Sequence, residues 1–351
     1  MEQALWTAQD TTPGEMEAAL RELLKERHAE NEAYVPARVL NLVLVVDKDW
    51  RGEIVNRLER VGRFHPSRTV LCAVEAGRRT LDARATMTVT GDPEPGMLAV
   101  AQERVEIDCG PDHLPHLDTI VDPLVVTDLA TVVWSPHGHA EALGALMKLA
   151  QVVLVDSVDV PEPAGALGRA AGLSEHAYVV DLAWLRTTPW RERISATFDP
   201  PRFREDLRRL SAVTIRHGPD SAVSGLLLCG WLASRLGWEP GAVVAQNGSL
   251  TGRARAKRGE VALRLEADPR QSVPGLAGLE IETASGMSIS LDRGSGGLAA
   301  RRRARDGTES TWTVMGASRG EAGILGEGIR QALLRDPAYR PALAAAGEML
   351  A

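Results

Sequence analysis

The spacing of hydrophobic positions divides the first part of the chain into alternating helices and strands. Leucines recur at helical spacing within the charged segment 16–32, which predicts an exposed amphipathic helix. The continuous apolar run 39–46 predicts a buried strand. A helical pattern over 51–63 ends near a proline, and the run 70–74 predicts the next strand. This β-α-β order with short connections is typical of a parallel sheet.

The same alternation continues to residue 160. We therefore expect an α/β fold whose N-terminal domain, residues 35–160, contains a doubly wound, mostly parallel sheet. The predicted strands are 83–89, 104–109, 129–134 and 152–155, and the predicted helices are 113–120 and 139–149.

The pattern changes after a Pro-Glu-Pro segment at 161–163. Residues 161–200 predict a helical connector, and residues 1–34 predict a separate N-terminal helix or arm. Between residues 201 and 351, short apolar runs separated by glycine-containing turns predict a C-terminal α+β domain with an antiparallel meander. Its predicted helices are 203–210, 222–236 and 321–334, and its predicted strands are 212–216, 261–265, 279–283, 287–291, 298–303 and 311–315.

Composition agrees with this division and limits the compartment. A chain of 351 residues exceeds the size at which a single core usually divides, so two main domains are expected. The three cysteines, Cys72, Cys109 and Cys229, form no CxxC pair and predict a reducing, cytoplasmic location. Neither a signal peptide nor a membrane-spanning run is visible. A net charge of −7 disfavours nucleic acid as a partner.

The motifs of several enzyme classes are absent from the sequence. The chain has neither a Walker A sequence nor a GxSxG nucleophile elbow, and the glycines of segment 323–328 lack dinucleotide-binding spacing. The pairs His113/His116 and His137/His139 have spacings that can ligate a metal, yet no carboxylate stands at diagnostic spacing beside them. We therefore predict no catalytic residue, no metal and no cofactor.

Polar side chains follow three of the predicted strands at their carboxyl ends. In a parallel sheet these ends meet at one edge, where open α/β sheets bind ligands. The edge therefore predicts either a small-molecule pocket, suited to a phosphorylated sugar, or a solvated rim of polar residues. Its candidate residues are Asp47, Asp49, Trp134, Ser135, His137, His139, Asp156 and Ser157.

Two basic segments stand out in the acidic chain. Arg253, Arg255 and Lys257 alternate with alanines, so a strand would carry all three cations on one face. Arg301 and Arg303 belong to a denser run of arginines. We interpret both segments either as charged edge strands that resist aggregation or as a docking face for an acidic protein or a phosphorylated ligand.

Two further segments combine charged side chains with aromatic residues and prolines. The first lies at the predicted amino edge of the sheet and includes His65, Pro66, Ser67 and Arg68. The second, 181–192, has the tryptophans and arginines that are typical of an interface hot spot. It fits a buried connector that braces the domains equally well. Its candidate residues are Asp181, Trp184, Arg186, Trp190, Arg191 and Glu192.

These segments resemble a known family. The stretches 65–68, 121–124 and 181–192, in this order and spacing, resemble the OpcA family of glucose-6-phosphate dehydrogenase assembly proteins. Segment 229–235 is similar to an apolar helix of that family. The chain departs from the family at 135–139 and 148–151, where relatives tend to have a second tryptophan and paired arginines.

The resemblance implies an accessory role rather than catalysis. It implies a protein that promotes the assembly or allosteric activation of glucose-6-phosphate dehydrogenase in the oxidative pentose phosphate pathway. It also implies that the segments around His65 and Trp184 contact that enzyme. The alternative from the residues alone is a phosphosugar-binding enzyme or metabolite sensor that uses the carboxyl edge of the sheet.

Overall fold

The chain folds into two compact units of mixed α/β structure. The computed structural model describes residues 3–30, 34–36, 38–62, 66–89, 99–294, 296–315 and 320–351. The first unit comprises Met1–Val155, His176–Val180 and Leu325–Leu334, and the second comprises Asp156–Glu175, Asp181–Ile324 and Arg335–Ala351. Among the helices so described, none has the length and apolar content needed to cross a membrane.

The first sheet has nine strands within the described residues. Its strands and the helices between them are, in chain order, β1 (Gln3–Ala8), α1 (Pro13–Glu30), β2 (Tyr34–Pro36), β3 (Leu40–Asp47), α2 (Arg51–Gly62), β4 (Ser67–Val74), β5 (Asp82–Val89), β6 (Ala99–Cys109), α3 (Leu117–Val121), β7 (Thr131–Trp134), α4 (Ala140–Leu146), β8 (Val152–Val155) and β9 (Tyr178–Asp181). The helix between β8 and β9 belongs to the second unit and is given with it below. The strand order is β1-β5-β6-β4-β3-β7-β8-β9, and β2 pairs with β6. Strands β6, β4, β3, β7 and β8 are parallel to one another, whereas β5 is antiparallel to β6 and β1 is antiparallel to β5.

Continuous burial along the central strands explains why the sequence indicates a parallel sheet. Every residue from Leu42 to Val46 of β3 is at most 2% exposed, so both faces of this strand are covered. Neighbouring β4 and β7 are buried in the same way. The carboxyl ends of β3 and β7 consequently lie side by side, with Leu44 paired to Trp134.

The second unit is built on a mostly antiparallel sheet. Its elements are α5 (Pro163–Ser174), α6 (Leu182–Arg186), α7 (Thr188–Phe198), α8 (Arg204–Leu207), β10 (Leu210–His217), α9 (Ala222–Leu236), β11 (Glu239–Pro240), β12 (Val244–Gln246), β13 (Ser249–Ala256), β14 (Gly259–Ala267), β15 (Leu276–Thr283), β16 (Ser288–Gly294), β17 (Gly297–Arg303), β18 (Glu309–Met315) and α11 (Tyr339–Glu348). Helix α10 (Gly320–Leu334) contributes residues to both units. The strand order is β11-β13-β14-β10-β15-β16-β17-β18, with β12 beside β13.

One face of this second sheet is covered by α9, an apolar helix that packs on β10 and β14. Helix α11 packs against α9 so closely that their backbones nearly touch. A Cβ atom built on Gly230 of α9 would lie 2.1 Å from the carbonyl oxygen of Ala342 in α11. Glycine at this position is therefore required by the approach of the two helices.

The predicted fold class is confirmed, because the N-terminal sheet is mostly parallel and the C-terminal sheet is rich in antiparallel pairs. Several elements differ from the prediction. Residues 3–8 of the expected helix or arm form β1, and the expected connector contains β9. Both are short strands that are held by pairing with distant strands, and their own sequences have neither a helical nor an alternating hydrophobic pattern. The helix expected over 203–210 is a short turn and α8, and α11 lies beyond the last predicted helix.

The Gly230 contact gives a direct test of the α9–α11 packing. We expect Gly230→Ala to lower the free energy of unfolding by about 2–3 kcal/mol, because the added methyl group forces two helix backbones apart. Urea unfolding followed by tryptophan fluorescence measures the change. The matched control is Gly168→Ala in α5, where an added Cβ has no neighbour within 4 Å. That control should be neutral or stabilising by up to about 1 kcal/mol, and equal losses in both variants would contradict the packing argument.

Candidate functional site

Asp181 is the residue around which the candidate site is built. It ends β9 and caps α6, where its carboxylate accepts a hydrogen bond from the Ala183 amide at 2.9 Å. The same carboxylate accepts two bonds from Ser157, at 3.1 Å from the amide and 2.5 Å from the hydroxyl. The hydroxyl of Tyr339 in α11 donates a fourth bond at 3.0 Å. One buried carboxylate thus joins three segments that are distant in sequence.

The environment of Asp181 makes its ionisation costly. Burial raises its pKa to about 6, and the nearby negative charge of Asp156 adds to the rise. The bonds donated by Ser157 and the Ala183 amide act in the opposite direction, because they stabilise the ionised form. Asp181 therefore changes its charge at a pH well above that of an ordinary aspartate.

A buried ion pair lies beside Asp181. Both terminal nitrogens of Arg186 donate to the Asp156 carboxylate, with Nη1–Oδ1 at 2.8 Å and Nη2–Oδ2 at 2.7 Å. The two side chains are only 5% and 8% exposed. Gly275 packs against the Arg186 stem with a φ of +105°, a conformation and a space that exclude a side chain. Such a bidentate, desolvated pair fixes both partners in one geometry.

The indole ring of Trp184 is held by three groups. Its Nε1–H donates to Asp336 Oδ2 at 2.9 Å. The Arg191 guanidinium lies 3.6 Å from the ring centroid, and the Tyr339 ring packs at 5.7 Å between centroids. Burial lowers the pKa of Arg191 to about 10, against the opposing effect of Asp336, so the guanidinium stays charged at neutral pH.

We name these residues the 181–191 cluster: Asp156, Ser157, Asp181, Trp184, Arg186, Arg191, Asp336 and Tyr339, all of which belong to the second unit. Trp184 and Trp190 are 2% and 0% exposed, and Arg186 is buried with them. These side chains are therefore interior rather than exposed, and because their contacts lie within the second unit, a bracing role between the two domains stays a prediction. Glu192 is exposed, and its role in partner contact stays a prediction.

The Pro66–Arg68 segment is also engaged in internal contacts. Arg68 Nε donates to the buried carboxylate of Glu103 at 2.9 Å, and Arg38 Nη2 donates to the same carboxylate at 2.5 Å. Burial opposes ionisation of Glu103, but the bonds from both arginines outweigh it and lower its pKa. Arg68 Nη1 also donates to the carbonyl of Leu124. Pro66 precedes β4 and Ser67 begins it, and His65 lies outside the described residues, so a docking role for this segment stays a prediction.

Part of the predicted pocket assembles at the carboxyl edge of the first sheet. The Asp47 amide donates to His137 Nδ1 at 2.9 Å, and His139 Nε2 lies 2.9 Å from Asp47 Oδ1. Burial lowers the pKa of His137, which agrees with an unprotonated Nδ1 that accepts this bond. The half-exposed ring of Trp50 packs on His137 at 5.9 Å between centroids.

The remaining pocket candidates do not form one group. Trp134 and Ser135 are buried and Asp49 is exposed. Asp156 and Ser157 belong to the second unit and contact Arg186 and Asp181 there. Within the described residues no set of three histidine, cysteine, aspartate or glutamate side chains is arranged to hold a metal ion. Ligand binding at this edge stays a prediction.

The two basic segments lie on interior strands of the second sheet. β13 is flanked by β14 and by β11 and β12, and β17 lies between β16 and β18. The edge-strand interpretation is therefore wrong for both, because the long-range pairing that covers them is not visible in local sequence. Arg253 and Arg255 pair with Glu260 and Glu239 on the exposed surface, and Lys257 lies in the turn that follows β13.

Sequence reasoning missed two members of the 181–191 cluster. Asp336 accepts a bond from the Ala338 amide just before α11, and Tyr339 is the first residue of that helix. The Asp-Pro dipeptide at 336–337 is a helix-start signal that could have indicated α11. Nothing local, however, connects these positions with Trp184 or Asp181, more than 150 residues earlier in the sequence.

Two family models match consecutive parts of the chain, and both describe a glucose-6-phosphate dehydrogenase subunit. Residues 59–172 match the N-terminal domain of that family, and residues 177–343 match its C-terminal domain.

Curated relatives from cyanobacteria are named OpcA and provisionally assigned to the OxPP cycle. The protein of Synechococcus elongatus is 26% identical over 203 residues, which cover 56% of this chain and 45% of that protein. The protein of Nostoc punctiforme is 31% identical over 131 residues, which cover 36% of this chain and 28% of that protein. The chain spans less than half the length of these relatives.

Solved structures of dehydrogenases align over most of the chain at low similarity. The WlbA dehydrogenase of Thermus thermophilus is 13% identical, with 89% of this chain and 94% of that chain covered and a TM-score of 0.43. The apo scyllo-inositol dehydrogenase of Lactobacillus casei is 10% identical, with 90% and 96% covered and a TM-score of 0.45.

Breaking the buried ion pair should destabilise the second unit strongly. We expect Arg186→Leu to lower the free energy of unfolding by about 3–5 kcal/mol, because it leaves the Asp156 carboxylate buried without its partner. The control is Arg253→Leu, which removes an exposed pair with Glu260 and should cost less than about 1 kcal/mol. Urea unfolding followed by tryptophan fluorescence compares them. A loss for Arg186→Leu no larger than the control's would contradict the role given to this pair.

The raised pKa of Asp181 predicts a specific dependence of stability on pH. The folded pKa of about 6 exceeds the value of about 3.9 expected for the unfolded chain, so ionisation is penalised only in the folded state. Stability is thus greatest below about pH 4 for this group and falls as the pH rises through 6. Relative to Asp181→Asn, the wild type should lose on the order of 2–3 kcal/mol between pH 4 and 7, at about 1.4 kcal/mol for each pH unit between the two pKa values. A pH-independent difference between the two proteins would contradict the burial argument.

Proposed function

The chain belongs to the OpcA family of glucose-6-phosphate dehydrogenase assembly proteins, and on this premise we propose that it is a non-catalytic accessory protein of that enzyme. It binds glucose-6-phosphate dehydrogenase and promotes its assembled or active conformation in the oxidative pentose phosphate pathway. The observation that carries the proposal is the match of two successive family domains, which between them span most of residues 59–343.

The proposed activation is a linkage effect. An accessory protein shifts an enzyme between two states only by the difference in its affinity for them. Coupling free energies of this kind are typically about 1–3 kcal/mol, which corresponds to a 5- to 150-fold change in affinity. If this protein binds the assembled dehydrogenase more tightly than the unassembled one, that difference is sufficient to favour assembly. No residue of this chain needs to act on the substrate.

The buried contacts of the second unit support a rigid docking platform. Asp181 fixes Ser157, α6 and Tyr339, and the Asp156–Arg186 pair adds a second fixed link. A surface that is already ordered loses little conformational entropy on binding, which favours affinity. In this proposal the 181–191 cluster shapes the docking surface from beneath, and exposed side chains contact the enzyme.

We assign first contact with the dehydrogenase to the exposed cations Arg253, Arg255 and Lys257. Among the described residues, Arg253 and Arg255 pair with exposed glutamates alone, and such surface pairs contribute little stability. Exchanging these glutamates for carboxylates of a partner therefore costs little. A positive surface patch also speeds encounter with an acidic surface, most strongly at low salt.

A reconstitution experiment tests the accessory function. Purified glucose-6-phosphate dehydrogenase from the same organism is mixed with increasing amounts of this protein, and light scattering after gel filtration reports the mass of the complexes. Initial rates report kcat and KM in the same mixtures. We expect a joint complex and a saturable change in oligomeric state or kinetic constants. An unchanged elution profile together with unchanged constants at saturating protein would contradict the proposal.

A charge-reversal variant tests the proposed contact surface. We expect Arg253→Glu/Arg255→Glu/Lys257→Glu to weaken binding to the dehydrogenase by about 10-fold or more at low salt, because attraction to an acidic surface becomes repulsion. The control, Arg60→Glu/Arg84→Glu/Arg169→Glu, makes the same change in net charge at exposed positions elsewhere. Equal weakening in both variants would assign the effect to net charge and contradict the surface.

A further inference from the structure

The second sheet has an open face that is polar and regularly patterned. On β15 the side chains of Glu280 and Glu282 are exposed, whereas the flanking Leu279 and Ile281 are buried. On β17 the exposed charged side chains are those of Arg301 and Arg303, and two serines of β16 lie between these arginines and the glutamates of β15. We define the open face by Glu280, Glu282, Ser288, Ser290, Arg301 and Arg303.

Strand register places these six residues in two rows. Glu280 pairs with Ser290 and Ser290 with Arg301, and Glu282 pairs with Ser288 and Ser288 with Arg303. An acidic column and a basic column therefore run in parallel, two strands apart. With about 4.8 Å between neighbouring strands, the backbones of the two columns are separated by roughly 10 Å.

Glu280, Glu282, Arg301 and Arg303 form no ion pair within the part of the chain that the structure describes. Other charged residues on the same sheet do form ion pairs, such as Arg264 with Glu266 and Arg216 with Asp292. Two complementary columns of charge are thus held apart by a strand of serines. Opposite charges in this arrangement can be satisfied by a surface that presents the same two columns in reverse order.

A second copy of the same face is such a surface. A two-fold axis that lies in the interface along β16 sets β15 of one copy over β17 of the other and keeps the rows aligned. Glu280 then faces Arg301, and Glu282 faces Arg303, in both directions, which closes four ion pairs while serines meet serines. We propose that this chain forms a two-fold symmetric dimer through the open face of its second sheet.

The relief of the face agrees with sheet-on-sheet packing. Beside the basic column lies a cavity of about 450 Å³ whose lining combines Arg301 and Trp312 with the smaller side chains of Ala299, Thr311 and Thr313. The smaller side chains leave room for those of a second sheet at the usual spacing of about 10 Å. The five neighbouring strands β10-β15-β16-β17-β18, each with about seven residues, give on the order of 500 Å² of flat sheet per copy. Because side chains project from the sheet, its solvent-accessible surface is larger than this flat area and approaches the roughly 800 Å² per partner of a specific interface.

The charge pattern favours a second copy over another partner. A uniformly acidic or basic surface would be repelled by one of the two columns, because like charges opposed at an interface cost several kcal/mol. The six residues that define the face carry two negative and two positive side chains in matching rows, and the exposed Glu309 of β18 pairs in register with Arg303 beside them. Since its contacts are ionic and polar, the dimer should be reversible and should weaken as salt screens the pairs.

The test measures self-association of the full chain without any dehydrogenase. Sedimentation equilibrium is run on the wild type, on Glu280→Arg/Glu282→Arg and on Arg301→Glu/Arg303→Glu. We expect the wild type to dimerise at low salt, and each variant alone to dimerise about 100-fold more weakly, since four attractive contacts become repulsive. An equimolar mixture of the two variants should recover a heterodimer, because basic faces then meet acidic ones. This recovery also shows that both variants are folded.

Several results would overturn the proposal. They are a monomeric wild type at the highest soluble concentration, a dimer that both variants retain, or a mixture in which no heterodimer forms. Arg60→Glu/Arg84→Glu serves as a control and should leave the dimer unchanged. If the wild type is monomeric and the same variants instead lose the dehydrogenase, the face belongs to the enzyme contact. The dimer is then rejected while the accessory function stands.

Discussion

The buried carboxylate of Asp181 is the constraint on which the second unit depends. It must accept bonds from Ser157, Ala183 and Tyr339 at once, and the last of these lies 158 positions from Asp181 in the sequence. A buried polar group that loses a partner costs about 1–3 kcal/mol, so each of these segments is held in place by the others. Ionising this buried carboxylate costs free energy, and the bonds that it accepts hold the three segments in a single relative position.

The neighbouring contacts extend this constraint. Arg186 is fixed by Asp156, and Trp184 is fixed by Asp336 and Arg191, so the whole of α6 is anchored at both ends. Aromatic and arginine side chains that the composition associates with an interface thus form part of an interior. In the proposed function, their effect on a partner is indirect, through the shape of the surface above them. The exposed charges of the second sheet are then the groups available for association.

The sequence indicates the fold more fully than the site. Central strands such as β3 are buried on both faces, and α9 is apolar over most of its length, so the local hydrophobic pattern is sufficient to predict them. The strands β1 and β9 depend on pairing across the sheet and leave no local period. Segment 181–192 is identifiable from composition and from its family resemblance, but its burial depends on Asp336 and Tyr339 near the start of α11. Likewise, the acidic residues of β15 and the basic residues of β17 become complementary only once strand register aligns them.

We propose that this protein binds the assembled or active state of glucose-6-phosphate dehydrogenase more tightly than its other state. Where the substrate prefers that same state, thermodynamic linkage requires this protein and the substrate to change each other's affinity by the same factor. The most direct measurement is titration calorimetry of this protein into the dehydrogenase, with and without saturating glucose 6-phosphate, beside titration of the substrate with and without this protein. The account predicts that both affinities change by the same factor, about 5-fold or more. The account is contradicted if the substrate does not change the affinity of this protein for the enzyme and this protein does not change the assembly of the enzyme.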